Sequence, residues 1–360
     1  MYPTKAKPNH GLAVKMVMDG FQASKPNLVQ GLLYSTYSNI TLDDFDSDAN
    51  YLIIPYILPK WTKVLMLFNQ KRIKKIVQEF NPDFIYFHNI FPGILLFHKI
   101  LKENKIPYGT SVRGSCYKAL KFLTWKKSSV NFFFNNASWI HFNSNYYMDR
   151  VEDLMKQKYL PLDKSKIKLI PNAVDDVFYD QPIKKIKGEK FKFLIIAGAE
   201  PRKNLETLFK AFISFNADNS SELIWIGQKY NQEYFNSLID YLKPENNIYY
   251  MEHLSGKQIP QIIDSANVLV LLSFEETFGN VVAEAVSRQC PVIYSKQSGV
   301  SSFIKQNQGI EIKDVLNIKE ITDALYEIIN NFNNYQFLPN DSFKKDEINK
   351  TWNNLFNNIS

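Results

Sequence analysis

The stretch Val268–Pro291, VLVLLSFEETFGNVVAEAVSRQCP, decides how the rest of the chain is read. An unbroken apolar run, Val268–Ser273, leads through Phe274-Glu275-Glu276-Thr277-Phe278-Gly279 into a helical pattern from Asn280 to about Gln289, which Cys290-Pro291 ends. A short apolar run bounded by turn residues reads as a buried parallel strand, and a glycine turn followed by a helix completes a βα unit. The first backbone N–H groups of that helix have no partners within it. With the positive end of the dipole they suit a diphosphate, and Gly279 lets a phosphate come close to the backbone. Glu276 can accept hydrogen bonds from sugar hydroxyls before the turn, and Glu284 from ribose hydroxyls one turn inside. An ordinary βα unit whose acidic residues complement the dipole has the same spacing.

Outward from this unit the alternation continues. In the second half apolar runs fall at Phe191–Ala197, Leu223–Gly227, Ile248–Met251, Val292–Tyr294 and Gly309–Ile312. In the first half they fall at Leu28–Leu33, Tyr51–Ile57, Phe84–His88, Tyr108–Val112, Trp139–Asn143 and Lys168–Ile170, with helical patterns over Thr62–Phe80 and Ile90–Lys102. Strand-then-helix order in both halves predicts two parallel α/β sheets. The length of 360 residues, beyond the roughly 250–300 that one core supports, predicts two domains as well. Asp175–Lys190, polar and rich in lysine, reads as the linker. Tyr2–Gly11 reads as the loop that should follow a first strand, so that strand is missing or another segment replaces it.

With 45% apolar and 22% charged residues the chain can bury full cores, which excludes a disordered tail. No apolar run is long enough to span a bilayer. Two cysteines, Cys116 and Cys290, are too few for a disulfide scaffold or a four-ligand structural zinc site, and the opening Met-Tyr-Pro-Thr carries no secretory pattern. The expected location is therefore the cytoplasm. A net charge of +7 favours anionic partners. The five histidines (His10, His88, His98, His141, His253) show no metal-binding spacing, so no metal and no cofactor are expected. Asp44-Phe45-Asp46 and Asp46-Ser47-Asp48 are the rival signal, Asp-x-Asp triplets of the kind that hold a divalent cation, or a solvated acidic turn.

A second cluster, Gly198-Ala199-Glu200-Pro201-Arg202-Lys203-Asn204, joins the run at Phe191 to a helix near Leu205–Phe215. Two adjacent cations at a βα turn can neutralise a departing diphosphate, or form a solvated charge pair. Taken together, Phe191 to about Val315 resembles the donor domain of the family-4 retaining glycosyltransferases. Glu276 to Glu284 matches their Glu-x7-Glu motif, Lys203 their phosphate-contacting lysine, and Ser298-Gly299-Val300 their glycine-rich turn. Asn172-Ala173-Val174-Asp175 is similar to their Pro-Asn-Gly-Val-Asp segment. Tyr2–Gly11 resembles the acceptor-side glycine loop, and Arg113 stands where many members carry a histidine. Ala199 stands where they carry an arginine, and Arg202 is taken as its substitute.

The resemblance implies an α/β GT-B architecture, two Rossmann-like domains facing across a cleft: residues 1–178 on the acceptor side, 179–340 binding the nucleotide-sugar, and 341–360 a helix crossing back toward the first domain. Ile348, Trp352, Leu355 and Phe356 fall on one face of that helix. It implies metal-free transfer of a sugar, with retention, from a nucleoside diphosphate to a glycan or lipid-linked acceptor in bacterial cell-surface polysaccharide synthesis. Catalytic roles fall to Glu276, Lys203 and Arg202. Donor binding falls to Phe278, Gly279, Asn280, Glu284 and Gly198, and acceptor-side roles to Gly11, His10 and Arg113. A nucleotide-sugar epimerase or phosphorylase, or a non-catalytic partner subunit, keeps the same architecture. Lys118–Lys127, with Phe122 and Trp125 among Lys118, Lys121, Lys126 and Lys127, reads as a basic amphipathic helix able to rest on the inner face of an anionic membrane, or as a solvated face. No nucleic-acid motif accompanies the charge.

Overall fold

The computed structural model describes residues 30–36, 51–57, 63–91, 93–181, 189–216, 220–252 and 258–357. The chain forms two compact units. The first comprises Met1–Asn143, Tyr147–Ala173 and Ile348–Ser360, and the second comprises Ser144–Tyr146 and Val174–Glu347.

The first unit contains a parallel pair, β1 (Gln30–Thr36) and β2 (Tyr51–Ile57), in register from Gln30 opposite Tyr51. Helix α1 (Lys63–Phe80) follows. A separate four-stranded parallel sheet runs in the order β3 (Ile85–Phe87), β4 (Tyr108–Ser111), β5 (Trp139–Phe142), β6 (Ile167–Leu169). Its connections carry α2 (Gly93–Asn104), α3 (Gly114–Phe122), α4 (Lys127–Asn135) and α5 (Asn145–Lys158). Every residue of β4 and β5 is buried, as expected of central parallel strands covered by helices. Gly109 on β4 is required by packing, since a Cβ there would lie 2.3 Å from the ring of Trp139 on β5.

Helix α11 (Lys345–Asn357) closes this unit. Its buried Ile348 and Trp352 sit with Trp139 and Ile170 in one cluster, against which Leu355 and Phe356 pack. The Trp352 ring lies 5.8 Å from Trp139, 5.6 Å from Tyr86 and 4.6 Å from His141. The apolar stripe read from the sequence is thus the face that docks. The helix begins at Lys345 rather than Asp341, because Asn340 caps a separate short turn, Asp341–Phe343.

The second unit is a six-stranded parallel sheet in the order β12-β11-β10-β7-β8-β9. The strands are β7 (Phe191–Ile196), β8 (Ser221–Ile226), β9 (Ile248–Met251), β10 (Val268–Leu271), β11 (Val292–Ser295) and β12 (Gly309–Ile312). Helices α6 (Leu205–Phe215), α7 (Gln232–Leu238), α8 (Ile259–Ser265), α9 (Asn280–Ser287) and α10 (Ile318–Asn330) connect or follow them. The chain lays strands outward from β7 in one direction, then returns to β10 on its other side and continues the opposite way. Doubly wound sheets bind ligands beyond the C-terminal ends of the strands at such a reversal. The β7 and β10 loops are the two that the sequence singled out.

Arg288, 4% exposed just after α9, ties the segment read as linker to this unit. Its Nε donates to Asp264 Oδ1 at 2.8 Å, and its Nη1 donates to the carbonyls of Val177 (3.2 Å) and Asp180 (2.9 Å). Part of that segment is therefore ordered structure, with a helical turn at Asp176–Phe178. Residues 182–188 lie outside the described set, as do His10, Gly11, the Asp44–Asp48 triplets and His253.

Candidate active site at the sheet reversal of the second unit

After β7 the chain turns through Gly198 and a short helical turn, Pro201–Lys203, which Asn204 ends in the left-handed region at φ 52°. Asparagine tolerates that conformation, and here its amide is tied down on both sides. Nδ2 donates to Val315 O at 2.7 Å and Oδ1 accepts from Thr207 Oγ1 at 2.7 Å. The turn aims Arg202 and Lys203 toward the β10 loop, and the Phe274 N–H donates to Arg202 O at 2.9 Å, joining the two loops.

Glu276 is held from the other side. Its N–H donates to Gln297 O (3.0 Å) and its carbonyl accepts from Gly299 N–H (2.9 Å), a bridge of parallel-strand type to the loop after β11. Gly299 is needed for this approach, since a Cβ would meet Thr277 O at 2.0 Å. Glu276 Oε2 accepts from Lys203 Nζ at 2.6 Å, Arg202 Nη1 at 3.3 Å and Ser273 Oγ at 3.3 Å. Arg202 Nη2 also donates to Glu200 Oε2 at 2.8 Å. The three residues expected to act together are thus one ionic group. Lys203 and Glu276 are mostly buried, 12% and 17% exposed, whereas Arg202 is half exposed. Ala199, at the position where the resemblance expects arginine, is fully buried, so Arg202 is the guanidinium that reaches Glu276 from this loop.

Gly279 caps α9 in the left-handed region (φ 94°), where any side chain is strained, and a Cβ would also meet Ser298 Oγ at 2.8 Å. Asn280 begins the helix. Phe278 was expected among the donor-binding residues, but its ring is 3% exposed and packs against Phe303 and Phe343. Its carbonyl accepts from Val300 N–H and Ser298 Oγ, so this residue shapes the turn from within the core. Glu284 lies one turn into α9, partly buried, and desolvation followed by the nearby charge of Asp175 pushes its carboxyl up to about 7. Gly198 lies under the exposed ring of Tyr230, which a Cβ would approach to 2.3 Å. Sequence reading missed Ser273, Gln297 and Tyr230. Ser273 and Gln297 are small or polar loop residues with no pattern of their own; Ser273 reaches Glu276 within one loop, and Gln297 is brought to it by the pairing of β10 with β11.

Arg113 belongs to the first unit, two residues beyond β4 and before α3. The Lys118–Lys127 stretch is not one helix. It runs from α3 through a tight turn, Leu123–Lys126, into α4, because the buried Leu123 anchors the turn. Phe122 and Trp125 are 58% and 59% exposed. Among the described residues no three His, Cys, Asp or Glu side chains converge on a point where a metal ion would fit, and no helix is long and apolar enough to cross a membrane.

Residues 178–339 match the family described as "Glycosyl transferases group 1", and residues 37–178 match "Glycosyltransferase Family 4". An uncharacterized glycosyltransferase of Methanocaldococcus jannaschii is 23% identical over 319 residues, spanning 85% of this chain and 83% of that protein. Among solved structures, the HepE protein of Anabaena in complex with UDP and glucose superposes with a TM-score of 0.70 at 15% identity, covering 96% of each chain. A lipopolysaccharide outer core galactosyltransferase, WaaB, superposes with a TM-score of 0.72 at 15% identity, covering 99% of this chain and 97% of that one. The two Rossmann-like units are those of the GT-B glycosyltransferase fold.

Proposed function

We propose that the protein transfers a sugar, with retention of anomeric configuration and without a metal ion, from a nucleoside diphosphate to a glycan or lipid-linked acceptor. The observation that carries this reading is the contact of Lys203 and Arg202 with the single oxygen Oε2 of Glu276 at the sheet reversal. When the bond between sugar and diphosphate breaks, negative charge grows on the departing phosphate oxygen. Lys203 and Arg202 are the cations placed to stabilise it, joined by N–H groups at the start of α9, where Gly279 keeps the backbone open. Glu276 accepts hydrogen bonds from sugar hydroxyls and orients the ring, and Glu284 does the same for the ribose. Two fixed cations supply the electrostatic role that a divalent ion fills elsewhere.

The test is a panel of nucleoside diphosphate sugars, each assayed with chelator and with candidate acceptors, following nucleoside diphosphate release and the anomeric configuration of the product. Acceptor-dependent release in chelator with the donor's configuration kept is the expected result. Inverted product, or activity lost in chelator and restored by manganese, would overturn retention or metal independence respectively. A free epimer or a sugar phosphate would replace transfer with the other reactions of this architecture. Ala199 in the expected arginine position favours a second reading, a partner subunit that binds nucleotide without turnover, and the same assay separates the two.

The similarity to a lipopolysaccharide enzyme supports a place in cell-surface polysaccharide synthesis. The exposed Phe122 and Trp125 among Lys118, Lys121, Lys126 and Lys127 support peripheral contact with an anionic bilayer, at the inner face of the cytoplasmic membrane.

A further inference from the structure

Among the described residues, five buried side-chain atoms have no hydrogen-bond partner: His88 Nδ1, Arg113 Nε, Trp139 Nε1, Asn143 Oδ1 and Ser221 Oγ. Trp139 and Ser221 stand at the starts of strands. The other three stand just beyond the C-terminal ends of three adjacent strands, His88 after β3, Arg113 after β4 and Asn143 after β5. Buried polar groups are almost always paired, and a cluster of exceptions at the ligand-binding end of a parallel sheet calls for a ligand. Asn143 is 3% exposed.

The surroundings position these groups without satisfying the unpaired atoms, although the Arg113 side chain does reach the Tyr86 hydroxyl. The Tyr86 hydroxyl is hydrogen-bonded to Ser111 Oγ, which contacts His141 Nδ1 at 2.6 Å, and His141 Nε2 donates to Ile170 O at 2.8 Å. Desolvation, followed by the charge of Arg113, lowers His141 to about 3 and His88 well below its usual value, so both imidazoles are neutral. Tyr147, fully buried, donates its hydroxyl to Arg113 O at 2.6 Å and fixes the backbone there. Arg113 forms no ion pair with a carboxylate among the described residues, and the sequence holds no Asp or Glu between Glu103 and Asp149.

We propose that this edge is a subsite for an anionic sugar acceptor, a hydroxylated ring bearing a phosphate or a carboxylate. The anionic group pairs with the Arg113 guanidinium, and ring hydroxyls, which both donate and accept, satisfy His88 and Asn143. The inference rests on the glycosyl-transfer reading and names the class of acceptor for it.

The experiment is titration of the full chain with glucose, glucose 1-phosphate, glucuronate and inorganic phosphate. Whichever of UDP, GDP, ADP or dTDP binds is held in excess, to occupy the diphosphate site of the second unit. The expected result is at least about tenfold tighter binding of one or both anionic sugars than of glucose. Arg113→Gln should bring that ratio to within about twofold of unity, with Arg113→Lys in between. His88→Ala and Asn143→Ala should weaken the anionic sugar while leaving the nucleotide affinity unchanged. The tighter of glucose 1-phosphate and glucuronate identifies the source of the charge. Equal affinity for glucose and both anionic sugars in the wild type, or a preference that survives in Arg113→Gln, would overturn the proposal, as would inorganic phosphate binding as tightly as glucose 1-phosphate. If Arg113→Gln does not fold, the wild-type ratio and Arg113→Lys still decide. Failure of every nucleoside diphosphate to bind would instead remove the transferase reading, and the charged-against-neutral comparison would still stand by itself.

Discussion

The four-stranded and the six-stranded sheet end in opposite electrostatic conditions. Beyond β7 and β10 the charges are closed on themselves, with Glu276 Oε2 taking Lys203, Arg202 and Ser273, and Glu200 taking the other side of Arg202. Beyond β3, β4 and β5, His88, Arg113 and Asn143 keep polar atoms without partners. The second sheet has an internal stand-in for a ligand's interactions, which a diphosphate must compete with. Among the described residues the first leaves those atoms without such a stand-in, so it depends on what binds. A self-satisfied site is stable when empty and gains selectivity through that competition, whereas an unsatisfied one costs stability until filled.

Replacing Glu276 tests this contrast most severely. Glu276→Ala leaves Lys203 and Arg202 without the carboxylate they share, so nucleoside diphosphate affinity should stay within about threefold of wild type or rise. Transfer should fall at least about a hundredfold, equivalent to about 2.7 kcal/mol of barrier, because the sugar is no longer oriented. Binding and turnover measured on the same preparation check this, and a parallel loss of both would show that the carboxylate does not compete with the diphosphate.

The next largest effect is on stability. Arg288→Ala removes the guanidinium that pairs with both oxygens of the mostly buried Asp264, and should cost about 3–5 kcal/mol, lowering the melting temperature by roughly 10 °C. The joint change Arg288→Met with Asp264→Leu should recover the part due to the lost charge pair but not the part due to the Val177, Asp180 and Gln181 carbonyls, which lose their Arg288 donors. Scanning calorimetry of the three proteins decides the point.

Glu284 sharpens the comparison through pH. Its folded pKa, about 7, lies above the ordinary carboxyl value, so between roughly pH 4.5 and 7 the folded chain binds the extra proton. Its contribution is therefore neutral below that window, and it destabilises increasingly as pH rises through it, by about 3 kcal/mol at pH 8. Glu284→Gln should flatten this part of the stability profile and raise stability at pH 8 in denaturant titrations. An unchanged slope would place the carboxyl in a wetter environment.

The smallest effect concerns the surface rather than either site. Changing Lys118, Lys121, Lys126 and Lys127 to Gln should reduce co-sedimentation with anionic vesicles at least about tenfold while leaving nucleotide binding intact. Salt should release the wild type. Equal sedimentation of both proteins would leave this stretch as a solvated face.

The second unit was largely readable from the sequence because its strands are continuous apolar runs and its turns carry glycine. The helix over Leu205–Phe215 and the start of α9 at Asn280 fall where the pattern places them. Strand ends were less legible, and Val268–Ser273 is a strand only to Leu271, since the chain turns away once Ser273 is drawn to Glu276. The first unit hid more. Its division into a two-stranded and a four-stranded sheet leaves no sequence signal, and the expected strand at Leu28–Leu33 is described only over Gln30–Thr36. His88, Arg113 and Asn143 lie 25 and 30 residues apart. No periodicity links such positions, and only the lateral pairing of β3, β4 and β5 makes them neighbours.

Helix α11 has a consequence for how the chain is made. The first unit is interrupted after Ala173 and resumes at Ile348, with the second unit inserted between. During synthesis the apolar patch around Trp139 and Ile170 emerges without Trp352 to cover it, and about 170 further residues must be translated first. At about 5–20 residues per second that is a delay of roughly ten to thirty seconds. The inserted unit therefore has all its strands available while the one begun earlier is still incomplete. For that interval an apolar face on the ribosome-bound chain is open to chaperones, and α11 acts as the closing piece of a unit left open about 170 residues earlier.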